Sequence, residues 1–551
     1  MEKQQPVARD TIVPTASRQE KTSCDYSRRR FLQAGAAGAA ALGALSQVRG
    51  DAPRLRGISR EGLRTGWNPR SFDPDLVRLI DRITGGFSLA EYDYAEQMGY
   101  EDYLDEQLEL TTEDYDPVLD AHLANFLMLD WSAIEIWNYY FPEGGENNST
   151  LAMWESSSIQ VIWMVYAKAQ LLYRMFQFWS HHFNIDPRGD GHVRYLLFPF
   201  LRGHILPNAL GAVPDLIRAT AEGPAMLRYL NNDVSSGSAP NENYARELME
   251  LHTLGVDGGY DQEDIQQLAK ILTGWTYCKN RSGCGGGLEW GQFLFDPNLH
   301  APGGKTFLDH DIPEGGKDEG DTALNILVEH DSTADYISRK LCRFFLGGID
   351  FNYNPPEDVV QMVKWTYLNS PTLGDIKAML RIILSREVLS QFSVTKFRRP
   401  IDLVTAAMRA TQAEVVPAPP NFLGGGGDNG LRANLESMGM WPTYWETPDG
   451  PYDTKAWMMG SPLPRWQYLD RLAEDVLYQF QDVDVRGLLH SVGALEPGYQ
   501  AEGFNQILTG GRMTSREVEE VQEFVGLSVD EGSLEDALSL AMQMPTYSFH
   551  A

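Results

Sequence analysis

The residues best suited to chemistry lie in one short segment, in which Arg246, Glu247, Glu250 and His252 fall within seven positions. Glu247 and Glu250 are three apart, so on a helix their carboxylates share one face. Two carboxylates on one face raise each other's proton affinity, which keeps one as an acid while the other acts as a base. The spacing therefore predicts acid–base catalysis by Glu247 and Glu250, with Arg246 as an orienting cation.

The same carboxylates also predict a site for a divalent metal. Carboxylate oxygens and imidazole nitrogens ligate hard and borderline metals, and facing helices can bring such side chains together. The candidate ligands are His182, Glu247, Glu250, His252 and His300. His181 and His182 are adjacent, so we expect only one of them to join, and on a regular helix His252 lies about 140° from Glu247.

The alternative to a metal site is a buried polar network. In that interpretation Glu247 and Glu250 pair with Arg246 or with other arginines, and His182 is hydrogen-bonded inside a core. Paired carboxylates at a defined separation can cleave glycosidic bonds. If Glu247 and Glu250 do so, the protein also needs a surface that binds sugars. The aromatic rings available to stack sugars are Trp131, Trp137, Tyr139, Tyr140 and Trp154. Rings at such spacing are also typical of a core, so both interpretations stay open.

Helices must position these residues, because helical patterns dominate the chain from Asp73 onward. Asp73 followed by Pro74 is typical of an N-cap and a first helical position, and Asp261 predicts another N-cap. The apolar positions of 159–179 predict a single central helix, and 241–254 predicts the helix that carries the glutamates. The predicted fold is therefore mainly α.

This fold is expected to be one large helical domain, 71–551, with two long irregular regions. These regions, 278–320 and 413–460, are rich in Gly and Pro, and loops of such length are typically functional. Cys278 and Cys284 lie six apart in the first region and predict a small disulfide loop in an oxidising compartment. Two free thiols or soft-metal ligands are the alternative.

The first 46 residues are typical of a twin-arginine export signal. Arg28, Arg29 and Arg30 precede a mildly apolar stretch, 31–45, which is too short for a membrane span of about 20 residues. We therefore predict a signal peptide at 1–46 and a flexible linker at 47–70. The protein is expected in the periplasm or outside the cell, with no stable membrane span after signal removal.

The acidity of the chain argues against two classes of partner. The formal net charge is −30 at pH 7. Such a surface repels the phosphates of nucleic acids and anionic lipid headgroups. We expect no nucleic-acid partner.

Three segments together resemble a known bacterial family, the domain of unknown function 1800. They are Phe178-Trp179-Ser180-His181-His182-Phe183, the segment 241–255, and Leu272-Thr273-Gly274-Trp275. Supporting pieces are 295–297 with His300, 304–306, 330–345 and 399–402. His300 is followed by Ala301, where the family pattern usually has aspartate, so a role for that aspartate does not transfer. The resemblance implies export and a second exported protein encoded alongside, but no established activity.

The leading hypothesis is an extracytoplasmic enzyme, for which hydrolysis of an envelope or external polymer is the candidate reaction. Glu247 and Glu250 would be metal ligands or acid–base groups, and His182 a ligand or proton carrier. The alternative hypothesis is a non-catalytic envelope protein. It would bind polysaccharide or act as a scaffold for the co-encoded partner.

Overall fold

The computed structural model describes residues 67–551, apart from 125, 349–353, 395, 416–429, 444, 452–454, 459, 461 and 478–482. The predicted signal peptide, 1–46, and the predicted linker up to residue 66 lie outside the described residues.

Helices form most of the described chain, which confirms the mainly α prediction. The first twelve are Pro74–Ile83, Leu89–Met98, Tyr100–Glu109, Pro117–Leu123, Ala133–Tyr140, Ser149–Tyr166, Gln170–His182, Gly191–Phe200, Val213–Ala221, Pro224–Tyr229, Glu242–Glu247 and Gln262–Ile271. The next twelve are Lys317–Glu329, Asp331–Leu346, Glu357–Asn369, Ile376–Ile383, Arg386–Phe392, Pro400–Thr411, Leu431–Ser437, Leu463–Ala473, Val485–Ser491, Gln500–Thr509, Ser515–Val525 and Glu531–Gln543. Short 3₁₀ turns are Leu206–Asn208, Asn232–Val234, Lys455–Met458 and Pro545–Ser548, and π-helical turns are Leu201–Ile205 and Leu248–His252.

The predicted helix starts are confirmed by side-chain caps. The Asp73 carboxylate accepts from the backbone N–H of Asp75 at 2.9 Å, with Pro74 at the first helical position. Asp261 accepts from the N–H groups of Glu263 and Asp264, and its own N–H donates back to Asp264. These bonds satisfy N–H groups that a helix start otherwise leaves without partners.

The strands are short and pair only in twos. Trp275–Tyr277 pairs antiparallel with Phe293–Phe295, and Lys305–Phe307 forms a hairpin with His310–Ile312. Lys396–Phe397 pairs with Phe549–His550. The first two pairs lie in the predicted irregular region around 278–320, and the disulfide predicted there is present between Cys278 and Cys284.

The predicted central helix 159–179 is wrong in one respect, because the chain breaks between Tyr166 and Gln170. Gln107, from another helix, donates to the Lys168 carbonyl at 3.1 Å and accepts from the Leu171 N–H at 3.2 Å. These bonds replace the intrahelical partners that the break removes. Both resulting helices are buried over most of their surface.

The predicted helix 241–254 is regular only at its start. It is α-helical over Glu242–Glu247 and continues as a π-helical turn, Leu248–His252. A π-helical turn places successive side chains differently from an α-helix, so the sequence-based angle between Glu247 and His252 does not hold.

The described residues belong to one compact unit, Gly66–Ala551. Its core surrounds Gln170–His182, where large side chains such as Trp179 are fully buried. Among the helices described, none is long and apolar enough to cross a membrane. The C-terminal end of Gln170–His182 therefore lies at the centre of the fold, and there the site is built.

Candidate functional site

The predicted glutamate segment is a half-exposed acidic surface. Arg246 donates to Glu242 at 3.1 Å and lies 3.7 Å from Glu250. The Glu247 carboxylate makes no hydrogen bond and no ion pair with any residue that the structure describes. Burial and the carboxylates of Glu250 and Asp449 raise the pKa of Glu247, against an opposing effect of Arg246. The Glu250 carboxylate is thus close enough to raise the pKa of Glu247.

His252 lies in the core and not beside the two glutamates. Its side chain is buried, with ring centroids 5.9 Å from His182 and 5.0 Å from Phe183. Burial, and then the ammonium of Lys340, lowers the pKa of His252 to about 3. The imidazole is therefore neutral at physiological pH.

His182 has a partner at each ring nitrogen. Its Nδ1 lies 2.8 Å from Nζ of Lys340, and its Nε2 lies 3.1 Å from the backbone carbonyl oxygen of His252. A carbonyl oxygen only accepts, so Nε2 carries the proton and Nδ1 accepts from Lys340. Burial, then Lys340 and His252, lowers the pKa of His182 well below its usual value. His182 is thus a neutral acceptor that holds Lys340 in place.

His181 is oriented in the same way by a different cation. Its Nδ1 lies 3.2 Å from Nη1 of Arg399, which can only donate, so Nδ1 accepts and Nε2 carries the proton. Burial, followed by Arg399, lowers the pKa of His181 well below its usual value. The neutral imidazole therefore presents an N–H donor on the side opposite Arg399. Each of the two adjacent histidines thus bonds a cation, Lys340 or Arg399, and not one of the two predicted glutamates.

A buried ion network fixes Arg399 behind His181. Asp402 accepts from Arg174 at 2.6 Å and from Arg399 at 2.8 Å, and all three side chains are buried. Arg399 also donates to Gln177 at 2.9 Å. Burial alone would raise the pKa of Asp402, but Arg174 and Arg399 lower it well below its usual value. The network is therefore ionised.

These groups surround a cavity of about 220 Å³, which we call the cation pocket. Its lining consists of Phe178, His181, His182, Tyr336, Lys340, Arg343, Phe344, Arg399, Asp449, Gly450 and Pro451. The Arg343 side chain makes no hydrogen bond or ion pair with the described residues, although its Nε is buried. Asp449 is the one acidic side chain in this lining, and it is exposed. Groups that donate hydrogen bonds dominate the interior.

A loop from the second predicted irregular region closes one side of the pocket. The Asn184 side chain donates to the carbonyls of Trp445 and Thr447 at 2.9 and 2.8 Å. Gly450 then lies against the backbone of His181: a Cβ at position 450 would be 2.0 Å from the His181 carbonyl oxygen. The φ angle of Gly450 is +75°, which side chains disfavour. The loop can therefore approach the histidines this closely only with glycine at position 450.

His300, the remaining predicted metal ligand, belongs to a separate buried cluster. Its Nε2 lies 3.1 Å from Glu319, and its Nδ1 lies 2.8 Å from the carbonyl oxygen of Thr273. Lys305 donates to Glu319 at 2.6 Å. This cluster connects the strand pairs to Lys317–Glu329 and has the partners of a structural network.

The predicted metal ligands do not fit a metal ion as they are arranged. Both nitrogens of His182 are engaged, one of them by an ammonium group, and His252 is separated from the glutamates. Among the described residues, no group of three or more His, Cys, Asp or Glu side chains could hold a metal.

Comparison with known proteins identifies a family but no individual relative. A family model described as "Protein of unknown function (DUF1800)" matches residues 78–549, most of the chain. The chain belongs to this family. No curated protein and no solved structure matches it. The geometry of the site itself is therefore the basis for assigning a function to this DUF1800 protein.

Four of the segments that carry the resemblance meet at the cation pocket. The stretch 178–183 provides both histidines, 330–345 provides Tyr336, Lys340 and Arg343, 399–402 provides Arg399, and 241–255 provides the carbonyl that orients His182. The segments 272–275 and 304–306 belong instead to the cluster of His300. The most characteristic parts of the DUF1800 sequence thus build one site and one structural network.

Sequence reasoning missed the cations of this site. Lys340 and Arg343 are three apart in a segment whose other residues are mostly buried and apolar. This spacing could have indicated two cations on one helix face beside the core. Arg399 precedes Pro400 at a helix start and gave no signal of burial. The five predicted sugar-stacking rings do not line the pocket. Tyr140, one of them, is buried and donates to Glu155.

Proposed function

We propose that this exported protein binds an anionic group of an extracytoplasmic ligand in the cation pocket. The observation that carries the proposal is the lining itself, in which Lys340, Arg343 and the Nε2–H of His181 are donors around one cavity. An acceptor-only group such as a carboxylate, sulfate or phosphate matches that set. A neutral ligand would leave the Arg343 guanidinium, which has no partner among the described residues, without a charged acceptor.

The electrostatic setting strengthens this interpretation. The chain as a whole has a formal charge of −30, so its surface repels anions in general. A cationic cavity backed by the buried pair Arg174 and Arg399 is the exception to that surface. Charges inside a partly enclosed cavity are screened less by salt than those on the surface. An anion that binds among the described residues is therefore expected at this position.

Two observations support export. The sequence of the first 46 residues is typical of a twin-arginine signal. The bond between Cys278 and Cys284 is of a kind that forms in oxidising compartments and is rare in the cytoplasm.

Acid–base hydrolysis is a second candidate function, and Glu247 favours it. This half-buried carboxyl group has no partner among the described residues, and its pKa is raised. A raised pKa and a free carboxyl group are among the properties of a general acid. Glu250 would be the neighbouring carboxylate that keeps this pKa high.

Isothermal titration of the purified mature protein with sulfate, and separately with acetate, tests the proposed function. Arg343→Gln should weaken binding of either anion by at least tenfold, since a charge-assisted hydrogen bond contributes about 1.5–3 kcal/mol. Arg343→Lys, which keeps the charge, should recover part of the affinity. The matched control is Arg516→Gln, because Arg516 is 80% exposed and pairs only with Glu520. Undetectable binding by the wild type, or equal affinities in Arg343→Gln and the wild type, would overturn the proposal.

A further inference from the structure

A set of hydrogen-bonding groups of a different kind lies beside the lining of the cation pocket. Asp449 lies in the pocket lining, close enough to Glu247 to raise the pKa of that carboxyl group. Tyr229 donates to the carbonyl of Glu446 at 3.3 Å, on the loop that leads to Asp449. Tyr260 interacts with Glu250, and burial, then Asp449 and Tyr260, raises the pKa of Tyr336, which lines the pocket. We call Tyr229, Glu247, Tyr260 and Asp449 the rim.

The packing of the chain places this rim beside the pocket. Gly255 follows the glutamate segment, and a Cβ there would lie 2.9 Å from the ring of Tyr336, which lines the pocket. The segment that follows the glutamates therefore packs against a residue of the pocket lining.

We propose that the ligand is an acidic polysaccharide: the pocket takes the anionic group of one sugar, and the rim bonds the hydroxyls of neighbouring sugars. This inference rests on the proposed function above. It adds the class of ligand, a glycan bearing carboxylate or sulfate groups.

The polar groups of the pocket and of the rim differ in kind. The pocket interior offers donors, whereas the rim offers the carboxylate oxygens of Glu247 and Asp449 and the phenols of Tyr229 and Tyr260. Sugar hydroxyls both donate and accept, so they can satisfy rim carboxylates that would repel a second anion. A ligand with a charge on every surface, such as a nucleic acid, would place phosphates against those carboxylates. The arrangement favours one anionic group flanked by neutral hydroxyls.

The volume of the cation pocket limits how much of a ligand it can enclose. The cavity of about 220 Å³ is smaller than the roughly 300–1,000 Å³ of sites that enclose a drug-sized ligand. It has room for a charged group and part of its ring, so the remainder of a longer ligand must lie outside on the rim. Tyrosine suits that position, because its ring packs on apolar sugar faces while its hydroxyl stays hydrated.

Titration with four probes tests this inference: oligogalacturonate, sulfated dextran oligomers, uncharged dextran oligomers and a glutamate oligopeptide. Either the carboxylated or the sulfated glycan should bind at least tenfold more tightly than free acetate or sulfate, and which one does so identifies the anion. Tyr260→Ala should reduce that affinity at least fivefold. Tyr115→Ala is the matched control, because Tyr115 is 82% exposed and is not part of the rim.

The outcomes separate this inference from the proposed function. If free anions bind in an Arg343-dependent manner but neither charged glycan binds more tightly, the acidic-polysaccharide inference is overturned and the proposed function stands. If the glutamate oligopeptide or uncharged dextran equals the charged glycans, the inference is also overturned. If no anion of any kind binds, the proposed function itself fails.

Discussion

Replacement of Gly450 by alanine tests whether the loop at residues 445–451 depends on its close approach to His181. The added methyl group would lie 2.0 Å from the His181 carbonyl oxygen and 3.0 Å from its carbonyl carbon. The left-handed backbone, with φ +75°, costs a non-glycine residue about 1–2 kcal/mol. Overpacking against the backbone adds about 1–3 kcal/mol. Gly450→Ala should therefore lower the free energy of unfolding by about 2–5 kcal/mol.

A second glycine isolates the steric part of that effect. Gly439 has a similar φ of +83°, but the nearest atom that a Cβ there would meet is on the Trp457 ring, at 3.9 Å. Gly439→Ala should therefore lose only about 1–2 kcal/mol. Urea denaturation followed by tryptophan fluorescence measures both losses, and sulfate titration should show weaker binding in Gly450→Ala alone. Equal losses of stability together with equal sulfate affinities would refute the argument.

Three further results are expected. Asp402→Asn leaves the buried Arg174 and Arg399 without their carboxylate, so urea denaturation should show a loss of about 3–5 kcal/mol; a loss below about 1 kcal/mol would contradict the network. The pKa values of both pocket histidines are held well below 6.5, so sulfate affinity between pH 5.5 and 8 should show no histidine-linked rise near pH 6.5. Folding raises the pKa of Glu247, so its ionisation disfavours the folded state as pH rises through that value. Glu247→Gln should therefore raise the melting temperature at pH 8 and not at pH 3, and the same change at both pH values would argue against the raised pKa.

Local patterns predicted the helices well, because their signals lie in the sequence itself. Asp73 and Asp261 cap the helices they were expected to cap. The break after Tyr166 had no local signal, since the groups that stabilise it belong to Gln107, a residue of another helix. Tertiary contacts of this kind override helix propensity.

The site was predicted only in part, for a related reason. His182 was identified by its chemistry, but its partners, Lys340 and the His252 carbonyl, come from distant segments. Those partners decide that the imidazole positions an ammonium group and does not face carboxylates. The role of a histidine depends on what faces each ring nitrogen, and the sequence does not contain that information.

Anomalous diffraction from crystals soaked in selenate, an analogue of sulfate, tests the central claim most directly. A selenate ion should occupy the cation pocket of the wild type, within hydrogen-bond distance of Lys340 Nζ and His181 Nε2, and should be absent from Arg343→Gln crystals. Selenate only at exposed surface cations, with the pocket empty in the wild type, would contradict the account.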